Sequence, residues 1–580
     1  MAQRRSSAAL VSAAAVSGLA YGQLVPIEGL KWGINAAGAL VVIDFTGNAV
    51  IVDPSDYEID ANGELLVNSE VAALLLGTAA AAAGVVSLAF FGDGPPPGLT
   101  HVDADHAPSV SYTWTGNRGD DNFTDGSRVG GGSGNSVIIT TFGGDDYIEF
   151  GGAVAQNTGS VTVDSGAGQD DIRFDYGAGQ NGGSVTVNAG DGDDDMYLGR
   201  YPGQNSGFMT VDAGNGNDDI DFDYFVAQNS GRVEVNAGDG DDDIDFDTHA
   251  AQNSGQVIVD AGGGDDNIDF DESAARNSGR VTVNAGDGHN EVSFAAYAAN
   301  YGGSVTVNAG AGDDQITFGS NMGRYGGSVA VHAGGGDDII DFSGFGSSGF
   351  YLEVNAGSGD DTINAASAAG WKSTTVINAL SGDNDIEFGQ YGGEEAVSLT
   401  VNTGSGDDEI VFGPNAALNG SVTVNAGAGD NQISFGLRAG EYGGVLTVNG
   451  GAEDDVITFA EKAAEGGDVT VNAGAGEDDI SFGASAAKSG GKIEVDLGAD
   501  ADLDNLTFLG GLRADANSVK VTGLNSGDTI TFANAMDAPA GLGSTFVTLT
   551  DSVTTGIMTL TGSTSISGTF NGANTIFTIS

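Results

Sequence analysis

The sequence predicts an all-β protein, a parallel β-solenoid (β-helix) of about 18 coils of 24 residues, and three observations support this fold. An apolar marker residue recurs at a nearly constant spacing, a strand of alternating apolar residues precedes each marker, and a Gly-rich acidic turn joins the two. Short repeats of fixed length cannot bury a core alone, so they stack on their neighbours. One repeated coil, rather than a series of unrelated domains, is therefore expected.

The marker is the apolar residue that follows each acidic turn; from Ile148 its spacing is 24 residues at first and 23, 24 or 26 later, and Phe123 marks a degenerate earlier copy. A propeller blade needs about 40 residues, which makes these copies too short for that fold. A string of independent hairpins is the remaining alternative. The markers are Phe123, Ile148, Ile172, Met196, Ile220, Ile244, Ile268, Val292, Ile316, Ile340, Ile363, Ile386, Ile410, Ile433, Ile457, Ile480, Leu506 and Ile530.

Each coil contains two short strands. In V-T-V at 185–187 the two valines face one way and the threonine the other, because side chains alternate along a strand. The second strand, such as I-D-F at 244–246, carries a Phe two residues after the marker in fifteen copies, which predicts a stacked Phe column in a narrow core. A recurring Asn in the loop predicts a hydrogen-bonded ladder rather than a binding site, with Tyr301 and Tyr325 later taking its register. The Asn column comprises Asn157, Asn181, Asn205, Asn229, Asn253 and Asn277.

The charge balance excludes several functions. There are 81 acidic and 18 basic side chains, which give a formal net charge of −63 and no affinity for nucleic acid, a polyanion. No cysteine is present, so disulfides and thiolate metal sites are excluded. The five histidines, His101, His106, His249, His289 and His332, form no zinc-like constellation.

Stacked turns also stack their carboxylates. The residue two before the marker forms a column of Asp146, Asp170, Asp194, Asp218, Asp242, Asp266, Asp314, Asp338, Asp361, Asp408, Asp455 and Asp478. The preceding position is often acidic as well, as at Asp193, Asp241, Asp265, Asp313 and Asp337. The turn glycines Gly192, Gly216, Gly240, Gly264, Gly312 and Gly336 allow carbonyl oxygens to point inward. Such a column predicts bound cations, and Ca²⁺ fits best because it accepts six to eight carboxylate and carbonyl oxygens.

These turns resemble a known signature. AGDGDDDID at 237–245 matches the nonapeptide G-G-x-G-x-D-x-U-x of RTX (hemolysin-type) calcium-binding repeats, with Ala237 in the first Gly position. The resemblance implies that Asp242 and its equivalents bind calcium with turn carbonyls between coils, and that the protein is extracellular or on a bacterial surface after type I secretion. One nonapeptide per coil, rather than tandem copies, predicts about one Ca²⁺ per coil on one edge. Weaker sites are expected where Asn290, Asn384 and Asn431 replace Asp and Glu453 replaces Gly.

The remaining segments flank a solenoid predicted over residues 109–532. Residues 1–22 resemble a leader, 23–70 predict small β-hairpins, and 93–108 predict a linker. Residues 71–92 are uncharged and predict an apolar helix, either a membrane or cell-surface anchor or a subunit contact. Residues 533–580 predict β-strands that cap the solenoid, carry a secretion signal or mediate assembly.

The expected function is structural and not enzymatic: a secreted, calcium-stabilised protein that assembles with copies of itself into a filament, surface layer or biofilm matrix. Polysaccharide modification is disfavoured because paired carboxylates repeat with the turns instead of marking one site. The alternative is a cell-surface adhesin or an ice-binding solenoid, suggested by an outward T-x-N array that Glu234, Ile258, Ala330, Glu353 and Glu494 interrupt. The array comprises Thr186/Asn188, Thr282/Asn284, Thr306/Asn308, Thr423/Asn425 and Thr447/Asn449.

Overall fold

The computed structural model describes residues 111–116, 118–126, 129–130, 134–344, 349–367, 372–392, 397–498, 500–509, 519–523 and 528–532, together with isolated strands nearer the termini. Every regular element of these residues is a β-strand. The chain comprises two compact units, Met1–Gly262 and Gly263–Ser580, which are described separately.

In the first unit, two parallel sheets follow the chain, and each coil adds one strand to each sheet. Sheet A contains Val85–Ala89, Ser111–Thr115, Ser136–Thr140, Ser160–Ala167, Ser184–Asp191, Phe208–Asn215, Arg232–Asp239 and Gln256–Gly263. Sheet B contains Asn122–Asp125, Tyr147–Phe150, Asp171–Phe174, Asp195–Tyr197, Asp219–Phe222 and Asp243–Phe246. Three further short strands are Val154–Gln156, Ala178–Gln180 and His249–Gln252.

The second unit repeats this arrangement. The sheet of this unit that corresponds to sheet A, and is given the same label, contains Arg280–Asp287, Gly303–Ala311, Gly327–Gly335, Phe350–Ser358, Thr374–Asn378, Ser398–Ser405, Ser421–Ala428, Val445–Ala452, Asp468–Ala475, Lys492–Asp496 and Val519–Thr522. The sheet that corresponds to sheet B, also given the same label, contains Asn267–Phe270, Glu291–Ala296, Gln315–Ser320, Ile339–Phe342, Thr362–Ser367, Asp385–Gly392, Glu409–Phe412, Gln432–Phe435, Val456–Glu461, Asp479–Ala484, Asn505–Phe508 and Thr529–Phe532. Short strands lie at Ser273–Arg276, Asn415–Ala416 and Arg438–Ala439.

The strand register matches the sequence period and confirms the predicted parallel solenoid. Ile148 pairs with Ile172 in sheet B, and Val161 pairs with Val185 in sheet A. All the predicted marker residues lie in strands of sheet B. Coils that are one residue shorter keep the register in both sheets, as in the pairings of Val401 with Val424 and of Ile410 with Ile433, because the loop that follows the sheet B strand is one residue shorter.

The core is a stack of identical apolar positions. Val185, Val187 and Met196 are fully buried. The predicted Phe column is present in both units, with ring centroids 4.7 Å apart between Phe222 and Phe246 and parallel rings. Stacked rings at this spacing match the separation of neighbouring strands, so each coil buries its aromatic side chain against the next.

Glycine is favoured at two turn positions of most described coils. At Gly190 and Gly192 the backbone φ angles are 116° and 147°, which side chains rarely adopt. A Cβ atom would lie 1.6 Å from the carbonyl oxygen of Gly166 at the first position and 1.8 Å from that of Gly168 at the second. Glu453, at the equivalent of Gly192, has a φ of 72°, and its carboxylate accepts a hydrogen bond from the Gly429 N–H at 3.0 Å.

The predicted loop Asn ladder is confirmed in the first unit. Asn205 donates to Asn181 at 2.9 Å, and Asn229 donates to Asn205 at 2.8 Å. Gln side chains one residue earlier form a second ladder, as between Gln204 and Gln228 at 3.1 Å. A third ladder, again of Asn side chains, runs along the outer face of sheet A in the second unit. These bonds tie neighbouring coils together and support the structural interpretation of the columns.

Antiparallel strands lie in the N-terminal segment for which the sequence predicts hairpins, and one strand lies in the segment for which it predicts a helix. Leu40–Ile43 pairs antiparallel with Ala49–Val52, and Tyr57–Ile59 with Leu65–Asn68; Lys31–Ile34 and Leu24–Pro26 complete these two small sheets. Within 71–92, the helix prediction is wrong for Val85–Ala89, a strand that pairs in parallel with Ser111–Thr115. Its two adjacent β-branched residues favour a strand. In the described part of the chain no helix has the length and apolar character needed to cross a membrane.

The C-terminal strands cover the last coil. Val547–Thr550 pairs antiparallel with Thr529–Phe532 in sheet B. Ile566–Asn571 and Asn574–Ile579 pair antiparallel with each other, and the second of them also pairs with Val519–Thr522 in sheet A. These strands occupy edges that otherwise attract other chains, as expected for a cap. The leader-like residues 1–22 and the linker 93–108 lie outside the described residues.

Candidate metal centre

The acidic column lies at the corner between the two sheets. In one coil, the sheet A strand Ser184–Asp191 ends, the turn continues through Gly192 and Asp193, and Asp194 precedes the sheet B strand. Asp194 has the same parity as the buried Met196, so its side chain enters the coil interior. All twelve predicted column aspartates are buried, with at most 2% of their surface exposed.

One oxygen of each carboxylate is held by the neighbouring coil. The backbone N–H of Asp146 donates to Oδ1 of Asp170 at 2.8 Å, and the N–H of Asp170 donates to Oδ1 of Asp194 at 2.8 Å. The second unit has the same bond from the N–H of Asp314 to Asp338 at 2.9 Å. This chain of bonds fixes every carboxylate at a common depth beneath the turn.

The second oxygen, Oδ2, is buried and accepts no hydrogen bond in many coils. A buried carboxylate oxygen without a donor or cation has a large desolvation cost. The Oδ2 atoms in this state belong to Asp146, Asp170, Asp194, Asp218, Asp314, Asp338, Asp361, Asp408, Asp455, Asp478 and Asp504. Because the same atom is orphaned coil after coil, the column requires a repeated source of positive charge.

Burial also shifts the titration of these groups. Desolvation, together with smaller contributions from the neighbouring carboxylates of Asp170 and Asp218, raises the pKa of Asp194 to about 8. Desolvation likewise raises the pKa of Asp338 to about 7, with contributions from Asp361 and Asp314. These carboxylates resist ionisation unless a cation compensates the charge.

The second predicted acidic column is placed differently. Asp193, Asp241, Asp265, Asp313 and Asp337 are exposed on the outside of the turn. Their carboxylates accept bonds from the following coil, as when the N–H of Asp337 donates to Asp313 at 2.8 Å. Their role as ligands stays a prediction, because the structure separates this exposed column from the buried one.

The predicted turn glycines place their carbonyl groups beside the buried column. Where Asn replaces Asp, the side-chain amide of Asn384 donates to the Gly382 carbonyl oxygen and that of Asn431 to the Gly429 carbonyl oxygen, each at 3.0 Å. Gly382 and Gly429 are the equivalents of Gly192, Gly216, Gly240, Gly264, Gly312 and Gly336. Carboxylate and carbonyl oxygens therefore converge, and this donor set fits Ca²⁺ rather than zinc.

Three members of the column were not predicted as ligands. Asp121, Asp504 and Asp528 are at most 4% exposed and occupy the same register. The N–H of Asp478 donates to Asp504 at 3.0 Å, and the N–H of Asp504 donates to Asp528 at 3.2 Å. Each lies two residues before a marker, so the same spacing rule identifies them, even though the coil that contains Asp504 is two residues longer.

The fold and the turn define the class as a parallel β-solenoid with a buried acidic column. No known protein family and no curated protein matches the chain. Among solved structures it resembles a hyperactive, Ca²⁺-dependent, β-helical antifreeze protein from an Antarctic bacterium, with 19% identity and a TM-score of 0.30. The match covers 56% of this chain and 95% of that one. Membership of the RTX family stays a prediction from the repeats.

Proposed function

We propose that this protein is a secreted, calcium-stabilised structural protein that assembles with copies of itself outside the cell. The observation that carries the proposal is the buried column of carboxylates whose second oxygens lack a donor in coil after coil. Ca²⁺ held by column aspartates and turn carbonyls would supply the positive charge and lock neighbouring coils together. Extracellular fluid contains the millimolar calcium that sites of modest affinity need.

The repetition of the site favours a structural role over catalysis. A catalytic centre needs one place where different groups converge, whereas here each coil presents the same turn chemistry. Two histidines of the described residues also follow the stacking: His249 packs against the ring of Phe225, and Nδ1 of His289 accepts a hydrogen bond from the backbone N–H of Asp313, in the exposed column, at 3.0 Å. These side chains serve coil-to-coil contacts in the same manner as the residues that they replace.

The exposed carboxylates make assembly dependent on divalent cations. Most turns of the described residues present acidic groups on their outer side, and a net charge of −63 repels a second copy. Divalent cations that bridge exposed carboxylates of two copies would remove this repulsion. The capped C-terminal strands favour lateral contacts over strand pairing at that end.

Electron microscopy of the full chain tests this proposal. In millimolar calcium we expect filaments or a two-dimensional lattice, and we expect excess chelator to dissolve them. Replacing calcium by magnesium at the same concentration is the control, because magnesium matches the ionic strength but demands octahedral geometry and retains its water. Monodisperse single particles at all calcium concentrations would contradict the assembly function.

A flat polar array favours ice binding as a second candidate. Thr400, Thr423, Thr447 and Thr470 occupy one register on the outer face of sheet A. Beside them, Asn425 donates to Asn402 at 2.7 Å and Asn449 donates to Asn425 at 2.6 Å, which fixes the side chains in a regular row. The neighbouring register positions are Val376 and Glu494, so the uninterrupted array is four coils long.

Thermal hysteresis of the calcium-loaded protein tests the second candidate. If the array binds ice, hysteresis is measurable and falls strongly in Thr447→Lys, because a long cation disrupts the flat surface. The matched control is Thr458→Lys, which alters the outer face of sheet B in the same unit and leaves hysteresis unchanged. Absence of hysteresis in the wild type would exclude this function.

A further inference from the structure

Three coils carry Asn instead of Asp in the buried column, and their amides make contacts that Asp cannot make. The Nδ2 group of Asn384 donates to the carbonyl oxygens of Gly382 at 3.0 Å and Ala379 at 3.1 Å. It also donates to Oδ1 of Asp408, in the next coil, at 2.8 Å. One amide therefore joins two turn carbonyls to the carboxylate of the neighbouring coil.

Asn431 repeats this arrangement, whereas Asn290 is looser. The Asn431 Nδ2 group donates to the Gly429 carbonyl oxygen at 3.0 Å and to Oδ1 of Asp455 at 2.8 Å. The Asn290 Nδ2 group lies 3.5 Å from its acceptors, the carbonyl oxygens of Gly286 and Ala309. Two of the three coils thus have a tight network closed by an amide.

In an Asp coil, a carboxylate oxygen stands where the amide nitrogen stands in these coils. The Oδ2 atoms of Asp338 and Asp361 are fully buried without a hydrogen-bond donor. Oxygen atoms about 3 Å apart repel each other unless a proton or a cation lies between them. The amide N–H groups and a divalent cation therefore both remove the repulsion between these buried oxygen atoms, at the same place in the coil.

We propose that the side-chain amides of Asn384 and Asn431 replace the bound cation. Their coils bind no ion and keep their contacts to the next coil without calcium. The inference rests on the proposed calcium function and identifies which coils depend on it. The first unit has only Asp in the column, from Asp121 to Asp242, and depends on calcium throughout. The second unit contains two coils that are stabilised by their own side chains.

The number of bound ions tests the proposal directly. Native mass spectrometry of the full chain in calcium should show one more ion for Asn384→Asp, one more for Asn431→Asp, and two more for the double variant. The matched controls are Asn378→Asp and Asn425→Asp, which add the same charge in the same coils but on the outer Asn ladder of sheet A. These controls should bind the wild-type number of ions.

A reverse variant keeps the test decisive if the added carboxylates prevent folding. Asp338→Asn should remove one bound ion and keep the strand content, because the new amide donates hydrogen bonds to the turn carbonyl oxygens and to the carboxylate of the next coil. Hydrogen exchange in excess chelator gives a second readout: peptides around Asn384 and Asn431 should retain protection longer than the turns of the first unit. The double variant should lose this protection in chelator and regain it with calcium.

The outcomes distinguish a failure of the amide replacement from a failure of calcium binding. An unchanged ion count in folded Asn384→Asp and Asp338→Asn would overturn the amide replacement while calcium binding stands. A wild-type protein that binds no calcium would overturn the proposed function as well. Equal loss of protection in the two units on chelation would also contradict the inference.

Discussion

Removing calcium is expected to unfold most of the solenoid. Neighbouring coils are about 4.8 Å apart, and two carboxylates at this distance repel by about 3 kcal/mol at an effective dielectric constant of 20. Repeated over a column of buried aspartates, this repulsion exceeds the net stability of about 5 to 15 kcal/mol that is typical of a domain. Ions that bind only the folded state remove this penalty and stabilise the fold by mass action.

Far-UV circular dichroism during a titration with chelator measures the effect. We expect a large loss of β signal, recovered when calcium is restored in excess. Magnesium at the same concentration should recover less, because it tolerates irregular oxygen cages poorly. A spectrum that is unchanged in excess chelator would refute calcium-dependent folding.

Acidification is expected to restore structure to the calcium-free protein. Burial raises the pKa of Asp194 to about 8, that of Asp455 to about 7 and that of Asp146 to about 6, all from a starting value of 3.8. Between pH 4 and the folded-state values, the native state therefore binds more protons than the unfolded state. Its stability falls as the pH rises through this window, and is greatest below it. In chelator, β signal should increase from pH 8 to pH 5.

A pair of adjacent variants separates the buried column from the overall charge. Asp194→Asn removes a buried group of raised pKa, so the calcium-free protein should gain stability at pH 8 and show a shallower dependence on pH. Asp193→Asn removes the same formal charge from the exposed side of the same turn and should change the dependence much less. A calcium-free protein with less structure at pH 5 than at pH 8 would contradict the argument.

Most of the fold follows from repetition in the sequence. The marker period sets the register, since identical residues must stack for each Phe to bury itself against the next. Parity also distinguishes the two acidic positions: Asp242 has the same parity as the buried Ile244 and Phe246, whereas Asp241 faces outward. Burial therefore distinguishes Asp242 from Asp241, and the role of either side chain as a ligand stays a prediction.

Other features are not accessible from composition or period. The strand Val85–Ala89 lies in an alanine-rich stretch for which the sequence predicts a helix, and it precedes the first recognisable copy of the repeat. Whether an Asn amide reaches two carbonyl groups and a carboxylate depends on backbone positions in the turn. Spacing identifies Asn384 as an exception to the Asp column. Only the structure shows that its amide donates to the Ala379 carbonyl oxygen and to the Asp408 carboxylate of the next coil.

The loop that absorbs a missing residue has a practical consequence for engineering. Coils of 23 and 24 residues share one register in both sheets, so length changes on this side leave the acidic turn and the core unaffected. Short peptides grafted into this loop would be displayed in a row, at intervals of about 4.8 Å for successive coils. Each unit thus offers a scaffold for multivalent display, whose spacing is set by backbone hydrogen bonds.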